Sequence, residues 1–226
     1  MKKVLFVVTS HDTLGNTGKK TGVWIEEFAA PYYHLSDAGI KIDISSPKGG
    51  RPPIDPMSEE EQFQTEDTKR FYLDKELQES FSNTLLLSKV SQDNYDAVFY
   101  PGGHGPLWDL AEDKHSIALI ESFNAHNKWI GAVCHGPAAL KNVMGADGIP
   151  LVKGRKVNGF SNTEEQEFKS TDIVPFSTED MLKAHGGLYS KADNWKEYAV
   201  EDYPLITGQN PASSRLVAQK LLEKIS

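Results

Sequence analysis

The chain has 226 residues, with 24 Lys and Arg against 32 Asp and Glu for a net charge of −8; 38% are hydrophobic and 25% charged. That size and balance suit one large domain or two small ones with a substantial core, and argue against a disordered chain. The acidic excess argues against nucleic acid or an anionic membrane surface as partner, because both are bound through clustered Lys and Arg.

The opening segment, Lys3-Val-Leu-Phe-Val-Val-Thr9, is continuously apolar and rich in β-branched residues. It predicts a strand covered on both faces, as in a parallel sheet with helices on either side. Its apolar stretch, Val4 to Val8, is too short for a signal-peptide core or a membrane span, so the expected location is cytoplasmic. A glycine-containing loop follows, then a helical pattern through Trp24, Ile25, Phe28, Tyr32 and Leu35, ended by Gly39. Ile40–Ser45 predicts a second strand, and the opening is therefore β-α-β.

Pro47 to Pro56 is loop chemistry. The acidic run through Glu59, Glu60, Glu61, Glu66 and Asp67 reads as a solvated face, followed by helix around Phe71, Leu77 and Phe81. Tyr95–Tyr100 and Lys128–Val133 predict two more buried strands. The first ends in Pro101-Gly-Gly-His-Gly105 and the second in Cys134-His-Gly-Pro137. Residues 137–144 predict a helix, 156–160 a strand, 163–168 and 178–184 short helices, 203–207 a last strand, and 212–225 a closing amphipathic helix. With no internal repeat or dividing linker, residues 1–226 are expected to form a single α/β domain around a mostly parallel sheet.

One cysteine, Cys134, excludes intrachain disulfides and thiolate-cluster zinc sites. A lone cysteine is by default an inert buried hydrophobe; its position sets this one apart. The run Trp129–Val133 delivers it to the carboxyl end of a predicted strand, where open α/β sheets bind ligands, just before a predicted helix. Such a sharp turn is a nucleophile elbow that projects its side chain, with Gly131 and Gly136 bracketing the thiol and Pro137 suited to a first helical turn. A helix N-terminus there is expected to favour the thiolate. Adjacent His135 can supply the base or ion-pair partner. The Pro101–Gly105 turn is weak evidence alone; beside the thiol, its N–H groups and that of His135 are candidate oxyanion donors. The remaining histidines show no HxH or HExxH spacing, so neither a metal nor a cofactor is expected.

The opening strand, Pro101-Gly-Gly-His-Gly105 and Ala132-Val-Cys-His-Gly-Pro137 together resemble the ThiJ/PfpI superfamily. Its glyoxalase III and heat-shock-chaperone branch is resembled by Lys20-Thr-Gly-Val-Trp-Ile-Glu-Glu27, Asn158-Gly-Phe-Ser-Asn-Thr-Glu-Glu165 and Thr207-Gly-Gln-Asn-Pro-Ala-Ser213. The resemblance implies a flavodoxin-like three-layer sandwich and a homodimer. It also implies an acid at Glu27 against the thiol, the pair Cys134 and His135, a triad acid at Glu165 with Glu164 one residue away, and an oxyanion donor at Gly103. A partly buried Glu27 would have a raised pKa and could exchange protons with the sulfur, and Glu165 would orient His135.

The activity implied is conversion of methylglyoxal or a related small 2-oxoaldehyde to a 2-hydroxy acid without glutathione, through a hemithioacetal on Cys134. The same nucleophile would serve an amidase, peptidase or protein deglycase. A stress-response holdase or a redox sensor using an oxidised Cys134 is the third reading.

Overall fold

The computed structural model describes residues 2–226. Lys3–Val7 forms strand β1, and its alternation divides the interior. Val4 and Phe6 face one core layer, while Leu5 and Val7 face the other. Helix α1 (Ile25–Asp37) covers the first face with Phe28, Ala29 and Leu35. Strand β2 (Lys41–Ser46) returns parallel to β1, in register Val4 with Ile42 and Phe6 with Ile44.

The acidic stretch then folds as two 3-10 turns and two short helices, α2 (Glu66–Leu73) and α3 (Lys75–Ser82). Thr65 caps α2 through a capping box with Thr68, and Asp74 caps α3. Phe71 and Phe81 from these helices meet Phe28 edge to face, so the run carries an apolar stripe beneath its charged surface.

A two-residue edge strand, β3 (Leu85–Leu86), precedes β4 (Ala97–Tyr100). Helix α4 (Lys114–Ala125) packs Leu119, Ile120 and Phe123 against the second face of the sheet. Strand β5 (Trp129–Val133) follows, and then the chain's cysteine. Strand β6 (Lys156–Val157) pairs with β7 (Leu188–Tyr189) in a separate small sheet, with α5 (Asn162–Glu167) and α6 (Thr178–Ala184) between them. Strands β8 (Ala199–Asp202) and β9 (Leu205–Gly208) form the only antiparallel pair of the main sheet among the described residues, and α7 (Ser214–Ile225) ends the chain.

The main sheet has the order β3-β2-β1-β4-β5-β9-β8. Connections from β1 run outward in both directions, so β1 and β4 flank a topological switch point, where open sheets have a crevice beyond their carboxyl ends. Helices α1 and α7 lie on one face and α4 on the other, which is the expected flavodoxin-like three-layer sandwich. No helix among the described residues is long and apolar enough to cross a membrane.

Two expectations for the second half are corrected. Residues 137–144 do not form an α-helix; only Gly136–Leu140 winds, as a 3-10 turn. Pro137 has no N–H to give, and Ala138 N–H closes the tighter bond to the His135 carbonyl at 2.9 Å. All five residues of this turn are buried. The strand expected over 156–160 stops at Val157, because the next residues bind elsewhere. Asn158 N–H donates to Thr207 Oγ1 at 2.9 Å and Phe160 N–H to the Cys134 carbonyl at 2.8 Å. Those bonds carry the segment towards the thiol. Helix α4 and the antiparallel β8 lay outside the sequence reading.

Candidate active site

Cys134 sits immediately after β5 with φ +59°, a left-handed conformation that non-glycine residues rarely adopt. Its N–H donates to the Gly208 carbonyl at 3.0 Å and its carbonyl accepts from Phe160, so both sides of the strained peptide are held. Strain of this kind costs on the order of 1–3 kcal/mol and persists where the surroundings enforce it. This is the expected nucleophile elbow. The side chain forms part of the floor of a cavity of about 520 Å³.

His135 brings Nδ1 to 3.5 Å from the Cys134 sulfur and Nε2 to 2.7 Å from Glu165 Oε2. Glu165 is held well below the ordinary carboxylate range. Burial opposes its charge, but His135 and His104 outweigh that cost. An ionised carboxylate can only accept, so Nε2 carries the proton and Nδ1 turns its lone pair to the sulfur. Burial, the largest influence on His135, keeps the ring below its ordinary 6.5 and therefore neutral at pH 7. The three groups thus form a relay from thiol to imidazole to carboxylate.

The choice between the two adjacent glutamates is made by α5. Glu164 closes a capping box with Ser161, and its other oxygen accepts from Trp195 N–H at 2.9 Å and Asn210 Nδ2 at 2.7 Å. One position on, about 100° around the helix, Glu165 points at His135. Glu164 braces the loop and Glu165 meets the imidazole.

Glu27 is fully buried in the first turn of α1. Burial raises its carboxyl from 4.5 to about 8, against the opposing influence of the Cys134 thiol and the Gly102 and Gly103 amides. Gly102 N–H donates to Oε2 at 2.7 Å, while Oε1 has no hydrogen-bond partner among the described residues. A neutral carboxyl next to the thiol can donate its proton to sulfur or to an oxygen on substrate. Gly102 is required by this contact, because a Cβ there would lie 2.5 Å from Glu27 Oε2. Gly103 has φ +81°, and a Cβ would come 2.1 Å from the Gly22 carbonyl oxygen.

The thiol departs from expectation in one respect. A five-residue 3-10 turn stands where an α-helix N-terminus was to favour the thiolate, and Cys134 is only 3% exposed. Burial first, then the Glu27 charge, push its pKa up. Both groups therefore resist ionisation, and the cysteine rests as a thiol beside a neutral carboxyl. The oxyanion expectation also divides. His135 N–H has no acceptor among the described residues, whereas the Gly103 amide helps to stabilise the Glu27 carboxylate.

His104 is the residue the sequence reading passed over. Its ring lies 4.3 Å from that of His135, and its Nε2 donates to Glu165 Oε1 at 3.1 Å. Ser170 Oγ donates to the same oxygen. The only signal was the histidine within the Pro101–Gly105 turn. His104, His135 and Glu165 bring ligand-type atoms within 4.8 Å of one another. Both histidine Nε2 atoms already face the carboxylate, so the cluster fits a proton-holding network better than a metal cage. Trp24 lines the cavity, whereas Trp108 stacks on His11 and Tyr33 is buried with its hydroxyl on Asp74.

Comparison with known proteins identifies the family and similar chains. The DJ-1/PfpI family profile matches residues 21–224. A glutathione-independent glyoxalase of Saccharomyces cerevisiae, HSP31, is 29% identical over 235 residues, covering 99% of this chain and 98% of its own. Among solved structures, Rapid Encystment Protein 24 kDa of Francisella tularensis has 40% identity and a TM-score of 0.96, with all of both chains covered. Glyoxalase III of Candida albicans has 26% identity and a TM-score of 0.89, covering 100% of this chain and 98% of its own. The chain belongs to the DJ-1/PfpI family.

Proposed function

We propose that the protein is a glutathione-independent glyoxalase converting a small 2-oxoaldehyde, such as methylglyoxal, into the 2-hydroxy acid, in this case lactate. The observation that carries the reading is the joint placement of a thiol, a neutral imidazole oriented by a carboxylate, and a neutral buried carboxyl on one cavity floor. The names of the relatives support it.

Cys134 sulfur attacks the aldehyde carbon and gives its proton to His135; the aldehyde oxygen takes a proton from Glu27, forming a hemithioacetal. The carboxylate of Glu27 then removes the hydrogen on that carbon as a proton, and the electron pair moves to give an enediolate. His135 N–H, with Gly103 as a second donor where the substrate displaces its contact with Glu27, stabilises the developing oxygen charge. Protonation of the neighbouring carbon yields a thioester of the 2-hydroxy acid. Water adds to that thioester, the C–S bond breaks, and the proton returns to sulfur. The balance is one water added per 2-oxoaldehyde, and the enzyme supplies the thiol for which glutathione would otherwise be needed. No cofactor enters these steps. In this reading residues 1–226 act as a single cytoplasmic domain, paired as a homodimer.

The test is lactate formation from methylglyoxal by reduced protein without glutathione. Turnover lost in Cys134→Ala supports the proposal; no lactate from the wild-type protein refutes it.

A further inference from the structure

We propose that the cavity selects neutral 2-oxoaldehydes bearing an aryl or bulky alkyl group, a substrate class that rests on the glyoxalase reading of the same site. A cavity of about 520 Å³ falls within the range of roughly 300–1,000 Å³ typical of sites for drug-sized ligands. Methylglyoxal has a single methyl beyond its two carbonyls and would leave most of that space to solvent.

The walls show what would fill it. Trp24, Phe63, Phe160, Phe168 and Trp195 surround the reactive floor. Trp24 meets Phe63 at 5.0 Å and Phe168 at 6.1 Å, both edge to face. A further ring can join such a cluster by offset or edge contact. The neutral polar side chains of the wall are already committed. Thr65 Oγ1 donates to Glu26 Oε2 at 2.5 Å; Asn210 donates to Glu164 and the Lys196 carbonyl and accepts from Ser213. They offer a ligand little hydrogen bonding. Burial raises the Glu26 carboxyl on the wall to about 7, so a full negative charge does not stand there at neutral pH.

Trp195 adds an independent observation. It has φ +62° and is 43% exposed, an unusual conformation for a large apolar residue facing solvent. Its backbone N–H is bound by Glu164 at 2.9 Å and its indole N–H by Glu167 at 2.5 Å, which fixes the ring 5.7 Å from Phe160. A strained tryptophan held at both ends on the cavity wall is a preformed contact surface, and the carboxylate that helps hold it is the neighbour of the one that orients His135.

The experiment measures kcat/KM of the full chain, without glutathione, for phenylglyoxal and methylglyoxal, with mandelate and lactate as products. The expected ratio favours phenylglyoxal by about tenfold or more, the scale on which apolar pockets discriminate. Phe63→Ala and Trp195→Ala, both on the partly exposed part of the wall, should lower that ratio severalfold, while Leu73→Ala at the exposed C-terminal end of α2 should leave it unchanged. A smaller wild-type ratio with lactate still formed, or a ratio insensitive to both wall substitutions, overturns the substrate class and leaves the glyoxalase reading standing. Absence of both products overturns the reading itself, and the substrate class with it.

Discussion

Replacing Glu27 by Gln separates what this acid costs the fold from what it contributes to chemistry. In the folded chain its carboxyl is pushed from 4.5 to about 8, mainly by burial. At pH 7 the folded protein therefore holds a proton that the unfolded chain releases. That uptake spans 7 − 4.5 = 2.5 pH units, or about 3 kcal/mol at roughly 1.4 kcal/mol per unit. The sign is that of an acid with a raised folded pKa: the cost is absent below 4.5, grows as pH rises, and levels off above about 8. Gln carries no such cost. Its amide oxygen can still accept from Gly102, while an unsatisfied buried NH₂ would subtract about 1–3 kcal/mol at every pH.

Chemical denaturation of both proteins from pH 5 to 9 should therefore show the stability difference moving in favour of Glu27→Gln by about 3–4 kcal/mol between pH 5 and 8. In thermal melts this corresponds to on the order of 10 °C for a chain of this size. His135 and Glu165 titrate in both proteins, so the difference curve isolates Glu27. Turnover should move the opposite way, falling by roughly 10²–10⁴ with loss of the proton carrier. A difference curve flat between pH 5 and 8, or one rising towards acid, would refute the assignment of a buried neutral carboxyl.

Glu165→Gln should lower kcat by about 10²–10⁴, because the imidazole loses the charge that sets its tautomer, whereas Glu164→Gln should mainly lower the melting temperature through its cap and its Asn210 bond. Rate profiles against pH resolve the first effect and thermal melts the second. Cys134→Gly should be more stable than Cys134→Ala by roughly 1 kcal/mol in denaturant titrations, since glycine tolerates φ +59°. Both should be inactive. His104→Ala should reduce kcat about tenfold and shift the acid limb of the rate profile by removing one donor from Glu165. In the wild type that limb should lie below pH 6.5, activity being lost as pH falls through the depressed His135 pKa.

Much of the layered fold was legible because its signals are local. The apolar runs at Val4–Val8 and Ile130–Val133 read as strands buried on both faces and form most of β1 and β5, and Gly39 follows the end of α1 as expected. Helix α6 occupies residues 178–184, matching the pattern. The second half was harder, because residues 158–160 are held by Thr207 and Cys134 from distant strands. Periodicity records burial but not a partner fifty residues away.

The thiol shows the same division. Its uniqueness, its place after β5 and the histidine beside it are facts of chain order, and they suffice to single out Cys134 and His135 as candidates for chemistry. Which of two adjacent glutamates meets the ring, how His104 joins them, and where the aromatic walls stand depend on the direction in which a helix and two loops bring side chains together. So does protonation: sequence supplies the carboxyl and the sulfur, while their proton affinities follow from the water each loses on burial and the charge it finds nearby, quantities that exist only once the chain has closed around them.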